Sequence, residues 1–98
     1  MSDEPKGGPM LRRQLEITNK LGLHARAATV LIQTIQKFDV AVRLIKDSTE
    51  VDATSIIALL MLDAGQGTVI DVCVSGSQAQ EALEAISALF ADRFGEEL

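Results

Sequence analysis

The 98-residue chain has no tryptophan and no tyrosine, and only three phenylalanines. It therefore has no aromatic platform on which bases could stack, and its core must be aliphatic. A formal net charge of −5 argues further against nucleic acid as a partner. The single cysteine, Cys73, excludes an internal disulfide and suits a reducing compartment. One histidine and one cysteine on different elements do not make a metal site. The longest apolar run, Ile56 to Leu62, is far too short to span a membrane. Residues 1–10 lack the basic and apolar zones of a signal peptide, so the expected location is the cytoplasm. The glycines are scattered, and no lysine follows Gly65 or Gly67 to complete a phosphate loop.

What is present organises as one domain. Residues 1–10 read as a flexible extension and 11–98 as the folded unit. Leu11 to Thr18 alternates, with Leu11, Leu15 and Ile17 on one side and Arg12, Gln14, Glu16 and Thr18 on the other, as in a strand with one wet face. From Ala25 the period changes to that of a helix, with Ala28, Leu31, Ile32 and Ile35 in one stripe. Val40 to Lys46 reads as a strand with Val40, Val42 and Leu44 inward. Thr49 to Asp52 is a short third strand, Ser55 to Leu62 a short helix, and Thr68 to Val74 a fourth strand. Ala79, Ala82, Leu83, Ile86 and Phe90 mark a last amphipathic helix over about 77–92. The order β-α-β-β-α-β-α predicts an α/β two-layer open-faced sandwich, with a four-stranded, mostly antiparallel sheet and three helices on one face.

One place in the sequence concentrates chemistry. The only histidine, His24, stands where a polar turn gives way to the first helix. Unpaired amides at a helix start, reinforced by the helix dipole, favour a phosphoryl group there. Arg26 adds a planar cation suited to phosphate oxygens. Gly22 permits an unusual backbone nearby, and small Ala25, Ala27 and Ala28 leave the helix start uncrowded. A neutral imidazole is a competent nucleophile near neutral pH. The blander reading is a capping histidine beside a solvated arginine. Ser55 suits a helix N-cap, with Thr54 an alternative. Every residue from Ile56 to Leu62 is apolar, yet one helix cannot bury all its sides on one sheet. Leu59 and Leu62 suit the core, which leaves Ile56, Ile57 and Leu60 as a partner-docking face. Met61 reads as packing, and Glu96 with Glu97 as a solvated end.

Gly22-Leu23-His24-Ala25-Arg26 resembles the active-site signature of HPr, the histidine phosphocarrier family of the phosphoenolpyruvate-dependent phosphotransferase system. Ala53-Thr54-Ser55-Ile56-Ile57 is similar to the family's second-helix regulatory region, and Gln66-Gly67-Thr68-Val69-Ile70 to the entry to its fourth strand. The resemblance implies a relay. Enzyme I passes a phosphoryl group to Nδ1 of His24, and His24 passes it to an acceptor protein. Arg26 and the backbone amides of Ala25 and Arg26 hold the phosphoryl oxygens. Such a protein is a stoichiometric carrier rather than a turnover enzyme, and needs no cofactor and no metal. Ser55 matches a serine phosphorylated by a dedicated kinase in some bacteria, and Ile56, Ile57 and Leu60 match the surface that docks on enzyme I and acceptors. The alternative is a regulatory binding module of the same shape acting mainly through that face. The chain departs from the pattern at Ala27, often proline, at Leu21, often Asn or Ser, and at Thr54 and Ala58, where basic residues occur. Asn19-Lys20-Leu21-Gly22-Leu23-His24 looks closer to nitrogen-branch members than to sugar-transport ones.

Overall fold

A computed structural model describes residues 10–97. The elements are β1 (Met10–Glu16), α1 (Ala25–Ile35), β2 (Ala41–Lys46), β3 (Thr49–Asp52), α2 (Ile56–Met61), β4 (Val69–Ser75) and α3 (Ala79–Ala91), followed by a 3-10 turn, Arg93–Gly95. The expected extension lies outside the described residues except for Met10, which opens β1 opposite Ser75 instead of belonging to a tail. The β-α-β-β-α-β-α order is the one read from the sequence.

The strands form one sheet in the order β1-β4-β2-β3, antiparallel at every junction. The two-residue period decides which face each side chain takes. Leu11 pairs with Val74 and Leu15 with Ile70, while Val42 and Leu44 lie opposite Val74 and Val72. These residues share the face that the helices cover, and Val42, Leu44, Ile70, Val72 and Val74 are buried. The other face is polar. It carries an Arg12–Asp71 ion pair at 2.8 Å and an Arg43–Glu50 pair. Cys73 sits between them, free and half-buried.

Helix α1 buries Ala27, Ala28, Leu31, Ile32 and Ile35, and α3 buries Ala79, Ala82, Leu83, Ile86 and Phe90. Arg13 stands on the covered face at the edge strand. Its guanidinium reaches over to Ser87 Oγ at 2.9 Å and Glu84 at 3.3 Å, tying α3 to β1.

Helix α2 has six residues, too few to be stable alone. Ser55 caps its start, its Oγ accepting from the Ala58 N–H at 3.2 Å. Lys46 caps its end by donating to the Leu62 and Asp63 carbonyls at 3.0 and 2.9 Å. Leu59 and Leu62 enter the core. Ile56, Ile57, Leu60 and Met61 are related by three and four residues and form the outward face. Ile57 and Met61 are 72% and 73% exposed. Met61 is therefore a surface residue, contrary to the packing role expected of it. It lies one turn beyond Ile57, on the side the sheet cannot reach.

Candidate phosphoryl site

The site begins with a turn. The Asn19 carbonyl accepts from the Gly22 N–H at 3.2 Å, closing the loop between β1 and α1. Gly22 has φ +71, a conformation that side-chain-bearing residues adopt at a cost. A Cβ there would lie 2.6 Å from the Ala64 carbonyl oxygen and 2.8 Å from Gly65 Cα. The Leu23 N–H then donates to that same Ala64 oxygen at 2.9 Å. The turn is thus clamped to the loop after α2, and the chain leaves it directly into α1.

His24 is the N-cap of α1. Its backbone is extended (φ −86, ψ −178), and its carbonyl accepts from the Ala28 N–H at 2.8 Å. The His24 side chain makes no capping hydrogen bond to the helix. The first-turn amides, those of Ala25 and Arg26 among them, therefore remain at the helix start. The imidazole is 29% exposed, and Arg26 is exposed one step into the helix. Among the described residues Arg26 forms no ion pair.

The structure adds a participant that the sequence reading placed elsewhere. Glu96, expected at a solvated end, has only 12% of its side chain exposed. Its Oε2 lies 2.5 Å from His24 Nε2, and its Oε1 accepts from Asn19 Nδ2 at 2.9 Å. Asn19 Nδ2 also donates to the Gly22 carbonyl at 2.7 Å. Asn19 is fully buried, and its Oδ1 finds no partner among the described residues. The Asn19 amide is the main influence holding the Glu96 carboxyl below its ordinary range. Burial opposes this, and His24 and the more distant Arg26 assist it. Glu96 is therefore a carboxylate at neutral pH.

The tail reaches the site through Phe94. Arg93 and Phe94 both take φ 55, which costs about 1–2 kcal/mol per residue. Burial of the Phe94 ring offsets that strain: the residue is 4% exposed, and its ring lies 5.0 Å from that of Phe90. Thr18 Oγ1 donates to the Phe90 carbonyl at 3.0 Å, tying the end of α3 to the strand that leads into the turn. The chain then folds back to place Glu96. A phenylalanine just past the helix end was the one available signal.

Leu21, His24, Arg26, Gly95, Glu96 and Glu97 line a shared cleft. Of the residues singled out from the sequence, His24 and Arg26 meet here, with Ala25 between them in the chain. Ser55 and the Ile56, Ile57 and Leu60 face lie on α2, outside this cleft. They are exposed, at 38%, 72% and 40% for the three apolar residues.

Comparison with known proteins decides the family. The family described as PTS HPr component phosphorylation site matches residues 11–92. The chain belongs to the HPr family. It is 47% identical over 88 residues to phosphocarrier protein HPr of Xylella fastidiosa strain Temecula1, covering 90% of this chain and 99% of that protein. It is 49% identical over 88 residues to phosphocarrier protein NPr of Escherichia coli K12, covering 89% and 98%. Among solved structures, HPr-C-His of Thermoanaerobacter tengcongensis superimposes with a TM-score of 0.85 at 39% identity, covering 90% of this chain and 99% of that one. Membership supports a phosphocarrier role within the phosphotransferase system. No helix among the described residues is long and apolar enough to cross a membrane.

Proposed function

We propose that this HPr-family chain is a cytoplasmic, stoichiometric phosphoryl carrier. His24 takes a phosphoryl group from phospho-enzyme I and delivers it to an acceptor protein. The observation that carries the reading is the lone imidazole at the uncapped start of α1, with Arg26 two residues on. Phosphoryl transfer asks mainly for position and charge stabilisation. The helix-start amides of Ala25 and Arg26 supply oriented donors, and the Arg26 guanidinium supplies the cation. In this reading the group is carried on Nδ1.

The outward face of α2 gives the carrier its docking surface. Ile56, Ile57 and Leu60 are apolar and exposed, as a partner-binding patch requires. Ser55 opens that helix and is itself exposed, so a serine kinase could place a phosphate beside the patch and weaken docking. The same exposure supports a second reading, a regulatory module that binds its target through this face with His24 only modulating it. The Asn19-Lys20-Leu21-Gly22-Leu23-His24 stretch and the low positive charge of the face, with Thr54 and Ala58 where basic residues occur, favour the nitrogen branch over sugar transport.

Incubation with phosphoenolpyruvate and a cognate enzyme I tests the reading. The expected result is an acid-labile, base-stable phosphate on the wild type and none on His24→Ala. A wild type that stays unmodified yet binds a regulatory target would instead favour the second reading.

A further inference from the structure

We propose that Glu96 is a positioning residue for His24: its carboxylate accepts a hydrogen bond from Nε2–H, holds the imidazole as the Nε2–H tautomer, and leaves Nδ1 as the only ring nitrogen with a free lone pair. This rests on the reading of His24 as the phosphoryl acceptor and names what orients it.

Three observations carry the assignment. The Nε2 to Oε2 distance is 2.5 Å, so one proton lies between the two atoms and the ring is held at that edge. The carboxylate is itself held. Asn19, fully buried in the turn, donates to its other oxygen, and the buried Phe94 fixes the backbone two residues before it. The same Asn19 amide donates to the Gly22 carbonyl, so one buried side chain joins the turn that carries His24 to the tail that carries Glu96. An ionised carboxylate has no proton to donate, so Nε2 must be the protonated nitrogen of the neutral ring.

The chemistry follows with its charges balanced. The Nδ1 lone pair attacks the phosphorus of the phosphorylated donor. The new bond is Nδ1–P. The bond that breaks joins phosphorus to the donor's leaving atom, which keeps the electron pair. The Nε2 proton stays in place, so the ring becomes cationic as the bond forms. Glu96 stabilises that developing charge from the opposite edge. A carboxylate that orients an imidazole and supports its cationic form serves hydrolases by the same logic, and the partners that orient metal-bound histidines, the milder case, are typically worth 10–100-fold in affinity or activity.

The test uses the full chain with His24 labelled with nitrogen-15. In the unphosphorylated wild type, ring nitrogen shifts should report the Nε2–H tautomer. Glu96→Ala should give a mixture of tautomers and accept phosphate from enzyme I roughly 10–100-fold more slowly. Should the alanine variant lose its fold, Glu96→Gln keeps the shape. Its neutral oxygen is a weaker acceptor, and its tautomer share and rate should fall between those of wild type and alanine. An unchanged tautomer share in a folded variant overturns the proposal, whether or not the rate falls, because a slower rate alone marks a structural role. The spectrum of the unmodified protein judges Glu96 without enzyme I. Failure of the wild type to accept phosphate counts against the relay reading instead.

Discussion

Gly22 and Ala64 approach so closely that a methyl group on Gly22 would lie 2.6 Å from the Ala64 carbonyl oxygen. The contact joins the loop that presents His24 to the loop that ends α2. Both atoms in conflict belong to backbone, so neither can swing aside. Gly22→Ala therefore meets a collision as well as the left-handed φ of +71. The conformational part alone costs about 1–2 kcal/mol, and the collision adds to it. Urea unfolding should show the loss with an unchanged m-value, and phosphoryl acceptance at His24 should fall with it. A variant as stable as wild type would show that the loops separate freely.

Arg26→Ala should leave the fold intact, since the side chain is exposed on the first turn of α1. A charge-assisted hydrogen bond is worth about 1.5–3 kcal/mol, so transfer to and from His24 should slow by roughly 10–100-fold. Rapid-quench kinetics with enzyme I measure this. Unchanged rates remove Arg26 from the site.

The two faces of α2 should respond oppositely to truncation. Leu59→Ala empties a fully buried site and should cost about 2–5 kcal/mol in unfolding free energy. Ile57→Ala, at a residue 72% exposed, should leave stability within about 0.5 kcal/mol of wild type. Its effect should appear in enzyme I affinity. A destabilised Ile57→Ala that docks normally would place this residue in the core's service instead.

Ser55 separates capping from charge. Ser55→Ala deletes the acceptor for the Ala58 N–H and should cost about 0.5–2 kcal/mol. Ser55→Asp keeps a good N-cap and favours the helix dipole, so stability should hold. The added negative charge beside the apolar face should weaken phosphorylation by enzyme I. Equal rates for Ser55→Asp and wild type would show that docking avoids this end of α2.

Acid should release the tail. The Asn19 amide, with help from His24, holds the Glu96 carboxyl below its unfolded value. A group shifted in that direction adds stability that is complete above the ordinary carboxylate range, roughly pH 4–5. The added stability is lost as pH falls through the folded value. Glu96→Gln has no such group. The stability gap between wild type and variant should be present at neutral pH and close in acid. Unfolding curves at a series of pH values measure it, and a gap independent of pH contradicts the ionised pairing.

Much of this protein was written locally. The alternation of Ile70, Val72 and Val74 and the stripe of Leu31, Ile32 and Ile35 specify a strand and a helix, because a period of two or 3.6 leaves one side apolar. The element order then leaves few ways to bury those sides, and the sheet formed as expected. The division of α2 into buried Leu59 and Leu62 and exposed Ile56, Ile57 and Leu60 followed from the same geometry. His24, Arg26 and Gly22 were visible because they lie within five residues of one another.

Glu96 was invisible for the opposite reason. It stands 72 residues from His24 in the chain, among charges that resemble a solvated end. No periodicity connects two side chains at that separation. Their meeting depends on Phe94 turning back into the core, on two left-handed residues that local preference opposes, and on a buried asparagine that donates both to Glu96 and to the Gly22 carbonyl of the turn before His24. The sequence determined which imidazole stands at the helix start, because neighbours in the chain are neighbours in space. Only the tertiary structure decided which carboxylate faces it, because that contact exists only after the apolar surfaces have closed around the sheet.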